Sequence, residues 1–101
     1  MKLYKIAISN EVYNDLENIG NFILSKYTQD AVNNYLKSLY EDISTLQYLA
    51  EVLPYSERET VKQINPKGKR LLSKNKHWNI IFHLLGDYVI VDRIIASSLI
   101  K

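Results

Sequence analysis

Two histidines, His77 and His83, and no cysteine occur among the 101 residues, so the available chemistry is confined to a few groups. His83 lies shortly before Gly86-Asp87 and Asp92 shortly after it. A hairpin turning at that pair sets Leu85 opposite Tyr88 and Leu84 opposite Val89, which leaves His83 and Asp92 as diagonal neighbours on one face. An aspartate that orients a histidine, with Arg70, Lys74 and Lys76 supplying charge to a phosphate, would make a general-base nuclease. The plainer alternative is a surface histidine beside a surface aspartate. His77 opens its strand after a lysine-rich stretch and has no evident partner. The lack of cysteine excludes disulfides, thiolate-bound metals and thiol catalysis. Two histidines without clustered carboxylates imply no metal site. No glycine-rich phosphate loop, Ser-x-x-Lys or His-Glu-x-x-His motif is present, and no cofactor is expected.

The formal charge of +2 conceals a polarised chain. Residues 1–50 carry four lysines against six acids, whereas residues 51–101 carry nine Lys/Arg against five acids. Lys62, Lys67, Lys69, Arg70, Lys74 and Lys76 fall in a stretch, Val61 to Leu85, that contains no acid. Such a cluster can steer phosphate or an acidic partner. Equally, it can be a solvated lysine-rich loop.

The elements that must hold these residues follow from periodicity. With 47% apolar and 24% charged residues, the chain is expected to fold as one domain spanning 1–101. Leu3 to Ser9 alternates as a half-buried strand. Ser9 or Asn10 caps a helix whose apolar stripe runs Val12, Leu16, Ile19, Ile23, Tyr27. Gly20 lies inside it at a cost of about 1 kcal/mol against Ala, and a close helix crossing would account for it. Thr28 caps a second helix with the stripe Val32, Tyr35, Leu36, Leu39, Ile43, Leu46, Ala50, and the short link makes the two an antiparallel hairpin. Pro54 closes this region, residues 54–60 form a loop, Val61–Ile64 is expected to be a short strand, and Asn65-Pro66-Lys67-Gly68 is a turn. His77–Leu85 and Tyr88–Ile95 then form a hairpin, with Gly86 suited to the first position of a type II′ turn. The fold class is α+β: an N-terminal strand, a helical hairpin, then a three- to four-stranded, mainly antiparallel twisted sheet.

Strict alternation puts Trp78, Ile80, Phe82 and Leu84 with Val89, Val91, Arg93 and Ile95 on the core face. The mixed face carries His77, Asn79, Ile81, His83 and Leu85 with Tyr88, Ile90, Asp92 and Ile94. Trp78 is thereby expected in the core rather than as a base-stacking platform. Arg93 is the odd charge on the apolar face, with three readings open: a helix carboxylate pairs it, it emerges at the sheet edge, or a β-bulge shifts the parity.

The chain resembles the ParE/RelE toxin superfamily of bacterial type II toxin–antitoxin and plasmid-stabilisation systems. The residues that carry the likeness are Tyr4-x-Ile6-x-Ile8-Ser9, Asp15-Leu16-x-x-Ile19-x-x-Phe22-Ile23 and Ala31-x-x-x-Tyr35-x-x-x-Leu39-x-x-x-Ile43-x-x-Leu46. Leu53-Pro54, Gly68-x-Arg70, Asn79-Ile80-Ile81-Phe82 and Val89-x-Val91-x-Arg93-Ile94-Ile95 continue it in order. RelE-like members cleave ribosome-bound mRNA, and ParE-like members bind and poison DNA gyrase. The ending Arg93-Ile94-Ile95-Ala96-Ser97-Ser98-Leu99 is similar to the ParE-type ending, with Ala96 where a His is usual. The arginine that RelE-like enzymes place early in the penultimate strand falls on Asn79, and both features count against mRNA cleavage.

The resemblance thus implies a ParE-like toxin, inhibiting gyrase by protein–protein binding and neutralised by a cognate antitoxin that folds along its surface. Lys69, Arg70, Lys74, Lys76 and Arg93 are the candidate target- or antitoxin-binding residues. If the protein is instead a diverged mRNA endoribonuclease, His83, Asp92 and Arg70 are the candidate catalytic set; a non-toxic binding domain on the same fold is the third possibility. The N-terminus has no signal-peptide stretch and no segment is long enough to span a membrane, so the protein is expected in the cytoplasm, with no membrane partner. No helix–turn–helix or RNA-recognition signature is present, so no sequence-specific nucleic acid is expected either.

Overall fold

Ser9 ends the first strand and begins the first helix, because its backbone is extended and its hydroxyl accepts the Val12 N–H. The computed structural model describes residues 2–101. Strand β1 (Lys5–Ile8) leads into α1 (Asn10–Leu24), and Thr28 caps α2 (Gln29–Ser44) through the Ala31 N–H. Thr45 turns its hydroxyl back onto the Asp42 carbonyl at 2.6 Å, which separates α2 from the single turn α3 (Leu46–Leu49). A loop then leads to α4 (Glu59–Ile64), β2 (Lys69–Leu72), β3 (Trp78–Leu85), β4 (Tyr88–Ala96) and a closing 3₁₀ turn, Ser97–Leu99. None of these helices is long and apolar enough to cross a membrane.

The sheet order is β1-β4-β3-β2. β3 pairs antiparallel with β2 and with β4, whereas β1 pairs parallel with β4, so the N-terminal strand closes the sheet across the whole fold. The α1–α2 hairpin lies on one face. Its stripes of Val12, Leu16, Ile19, Ile23, Val32, Leu39 and Ile43 form one apolar cluster with Ile80, Phe82, Val89, Val91 and Ile94. Burying side chains of the size of Leu39 or Phe82 contributes about 1.5–3 kcal/mol each. Tyr27 falls beyond the helix and is exposed. A Cβ on Gly20 would meet Val32 and Leu36 side chains at 3.5 and 3.6 Å, so the helices do cross closely there, at ordinary contact distance for an alanine.

Residues 61–64 are not the expected strand: they belong to helix α4. The pair Val61 and Ile64 suits a helical face as well as it suits a strand, and four residues are too few to separate the two periods. Tertiary packing decides, with Val61 fully buried and its Cγ1 in the space that a Cβ on Gly68 would need, at 2.8 Å. The Asn65–Gly68 turn forms as expected, Gly68 N–H donating to the Asn65 carbonyl at 2.9 Å. Gly86 has φ +59°, the left-handed conformation the tight hairpin turn requires.

Candidate functional site

The hairpin register follows the turn as far as Phe82 opposite Val91, and then a bulge between Ile81 and Phe82 shifts it, so that Ile81 faces Arg93 and Ile80 faces Ile94. Asp92 is the extra residue on the longer side. The expected facing is therefore corrected beyond this point: Ile94 joins the core cluster and Arg93 does not. β1 ends opposite Val91, which leaves the last part of β4 without a neighbouring strand on that side. Side chains complete it. The Ser9 hydroxyl donates to the Asp92 carbonyl at 3.0 Å, and Asp15 of α1 accepts the Ile94 N–H at 2.9 Å. The Asp15 carboxylate also accepts the Arg93 Nε–H at 2.9 Å and an Nη2–H at 3.0 Å. This fork-shaped pair raises the Arg93 pKa above its ordinary value, principally through the hydrogen bonds to Asp15. All three readings open for Arg93 thus hold together: a helix carboxylate, a sheet edge and a bulge. Its side chain is still 42% exposed.

On the opposite face, His83 Nδ1 and Asp92 Oδ2 lie 2.7 Å apart, both partly buried. The register close to the turn brings them together, and the bulge puts Asp92 beside β3. Arg70 is not joined to them. It stands opposite Ile81, between His83 and Asn79 along the sheet, and its Nη1–H donates to the Asn79 Oδ1 at 2.8 Å. Asn79 is 1% exposed and donates in turn to the Ser97 hydroxyl at 2.9 Å. This face is also partly covered by the chain itself: Thr60 of α4 is hydrogen-bonded to Leu99 and Lys101, and Ile64 lines a shallow cleft with Asp92 and Arg93.

The basic residues separate. Lys69, opposite Phe82, is 5% exposed and donates from Nζ to the Ala50 carbonyl at 2.8 Å, capping the end of α3. Burial lowers its pKa, and Glu51 partly offsets this. Its charge is used inside the fold, beside the Tyr55 ring at 5.1 Å. Lys74 and Lys76 sit in the β2–β3 turn with their side chains exposed. That turn is tied to α2 by the Lys74 N–H, which donates to the buried carboxylate of Asp42 at 3.2 Å. Trp78 packs against the core as expected, its Nε1–H donating to the Tyr35 hydroxyl at 2.7 Å. Among the described residues, no three His, Cys, Asp or Glu side chains group as metal ligands.

Asp15, Asn79 and Tyr35 do structural work that spacing alone did not assign to them. The partners of Asp15 and Tyr35 lie far away in sequence, Arg93 by 78 residues and Trp78 by 43, while Asn79 reaches Arg70 and Ser97 across 9 and 18. The only signal in the sequence was the unpaired charge on an apolar face.

No protein-family model matches the chain, and no curated protein matches it. Among solved structures, a chain from a structure described as "Chromosomal ParDE TA system from P. aeruginosa" aligns with a TM-score of 0.79. The alignment covers 93% of this chain and 96% of that one, at 16% identity. The α+β fold implied by the resemblance, a helical hairpin against a four-stranded sheet, is the fold that this similarity supports.

Proposed function

We propose that this protein is the toxin of a type II toxin–antitoxin pair, that it acts in the cytoplasm by binding DNA gyrase rather than by cutting nucleic acid, and that a cognate antitoxin neutralises it. The observation that carries the reading is the end-to-end correspondence of the fold with a chain from a ParDE system. Fold alone does not select a target. Binding is favoured over cutting by the polar residues of the sheet, which are engaged with one another: Asn79 holds Arg70 and Ser97, and Asp15 holds Arg93. A phosphate beside His83 would need Arg70 released from Asn79.

Purified protein is expected to stop supercoiling by gyrase and to leave ribosome-bound mRNA intact; cleaved mRNA with gyrase unaffected would overturn the proposal. Toxicity on expression should fall when Arg70, Lys74 and Lys76 are replaced together by alanine. Unchanged toxicity would make that segment a solvated loop. One observation favours a second reading, an endoribonuclease: the 2.7 Å contact between His83 and Asp92. Under that reading His83→Ala abolishes cleavage of mRNA on ribosomes, while under the first it leaves inhibition of gyrase unaltered.

A further inference from the structure

Between the C-terminal end of α1, the middle of α2 and the β2–β3 turn lies a groove of about 480 Å³, within the roughly 300–1,000 Å³ of small-ligand sites. It is separate from the His83–Asp92 pair and from the Arg93–Asp15 pair. Its cations are Lys26 and Lys76, beside the imidazole of His77, and its lining includes no carboxylate. Neither lysine makes an ion pair among the described residues. Its aromatic walls are Phe22 and Tyr27, 55% and 64% exposed, the Lys26 ammonium lying over the Phe22 ring at 4.8 Å, with the indole of Trp78 between α2 and the sheet.

Two details show that the groove is held in shape. Lys76 has φ +66°, the only positive φ of a non-glycine residue among those described. It is locked there by its N–H on the Ser73 carbonyl, 2.9 Å, and by its own carbonyl, which accepts the Ser97 hydroxyl at 2.8 Å. The left-handed residue closes the β2–β3 turn and fixes this rim of the groove. Tyr35 supplies the second detail. Its hydroxyl oxygen accepts from Trp78 Nε1 and from Asn75 Nδ2 at 3.0 Å. Neither bond uses the hydroxyl proton, which is therefore available to a further acceptor.

We propose that this groove binds a nucleoside phosphate. The base lies against the aromatic walls, where stacking tolerates any base. The phosphate meets Lys26 and Lys76 in charge-assisted hydrogen bonds, and the Tyr35 hydroxyl donates to the base or sugar. An acidic peptide would use the same cations and could accept from Tyr35, but it would leave the exposed aromatic face without a stacking partner. The proposal does not depend on gyrase as target.

Trp78 is the only tryptophan, so its fluorescence reports this groove directly. Titration of the full chain with AMP is expected to quench it saturably, and adenosine or inorganic phosphate alone should bind at least about tenfold more weakly, the loss of one charge-assisted or stacking contribution. Lys26→Ala with Lys76→Ala should weaken AMP by a similar factor, Tyr27→Ala should weaken AMP and adenosine alike, and Lys67→Ala, at an exposed lysine outside the groove, should leave AMP binding unchanged. A 5′-phosphorylated oligothymidylate distinguishes the two sources of such a group: tighter binding than TMP assigns the site to a strand end, equal or weaker binding to a free nucleotide. Absence of saturable quenching by either, quenching by an acidic peptide alone, or inorganic phosphate binding as well as AMP would overturn the proposal. Far-ultraviolet circular dichroism of each variant separates lost binding from lost folding.

Discussion

Lys69 in β2 and Lys76 in the β2–β3 turn belong to the same acid-free run of sequence and end in opposite surroundings. Lys69 lies on the core face, where alternation along β2 turns it toward α3, and its ammonium satisfies the Ala50 carbonyl. Lys76 sits where the chain reverses, with its side chain in solvent and its backbone held by Ser73 and Ser97. Arg93 resembles Lys69, since its guanidinium is occupied by Asp15 at the unpaired end of β4. Cations of equal formal charge thus serve two ends: those on the sheet complete backbone and carboxylate bonding, while those of the turn remain free to meet an anion. Counting charge along a chain overstates what a partner can reach.

Breaking the sheet-side group should cost most. Asp15→Ala removes the acceptor of the Ile94 N–H and the partner of Arg93, and should destabilise the fold by about 2–4 kcal/mol. Because Arg93 can turn to water, most of that loss belongs to the orphaned N–H; a change below about 1 kcal/mol in urea unfolding would mean that water replaces the carboxylate. Lys69→Ala strips a buried stem and leaves the Ala50 carbonyl unpaired, an expected loss of about 1–3 kcal/mol.

The same lysine should leave a mark on the pH profile. Burial holds its pKa below the ordinary 10.5, so in the interval just beneath that value the unfolded chain binds more protons than the folded one. Stability therefore gains from this group as pH rises through the interval, since the slope follows the excess of protons on the unfolded state. Wild type should lose less stability there than Lys69→Met, and parallel curves would refute the assignment. The turn supplies the smallest effects. Lys74→Ala should change stability by no more than about 0.5 kcal/mol. Lys76→Gly should raise it by about 0.5 kcal/mol, as relief of the left-handed backbone outweighs the entropy of glycine. A clear loss on Lys76→Gly would show that the side chain packs after all.

The hairpin itself divides into a legible part and a hidden one. From Gly86 outward to Phe82 and Val91 every pair was set by a two-residue turn, and His83 beside Asp92 follows from that register. Past the bulge the facing reverses, and Ile94 rather than Arg93 enters the core. A single added residue carries no local mark in the sequence, because its cause is the geometry of α1 and Ser9 against the strand. Val61–Ile64 is helix rather than strand for a related reason: a four-residue segment can satisfy either period, and the missing Cβ of Gly68 admits the helix.

By itself, then, the amino-acid sequence determined β1, the two long helices and the β3–β4 hairpin in their order, with the helical stripes, the caps at Ser9 and Thr28 and the tight turn at Gly86, since each depends on residues within a few positions of one another; α4 and β2, short segments without a clear period, it did not determine. It also determined the closeness of His83 to Asp92. Tertiary structure alone decided which cations are spent and which are free: Lys69 on Ala50, Arg70 on Asn79, Arg93 on Asp15, with Lys26 and Lys76 left around one groove. Those outcomes depend on contacts between elements far apart in the chain, where hydrogen-bond geometry and burial, not neighbouring residue types, select the partner.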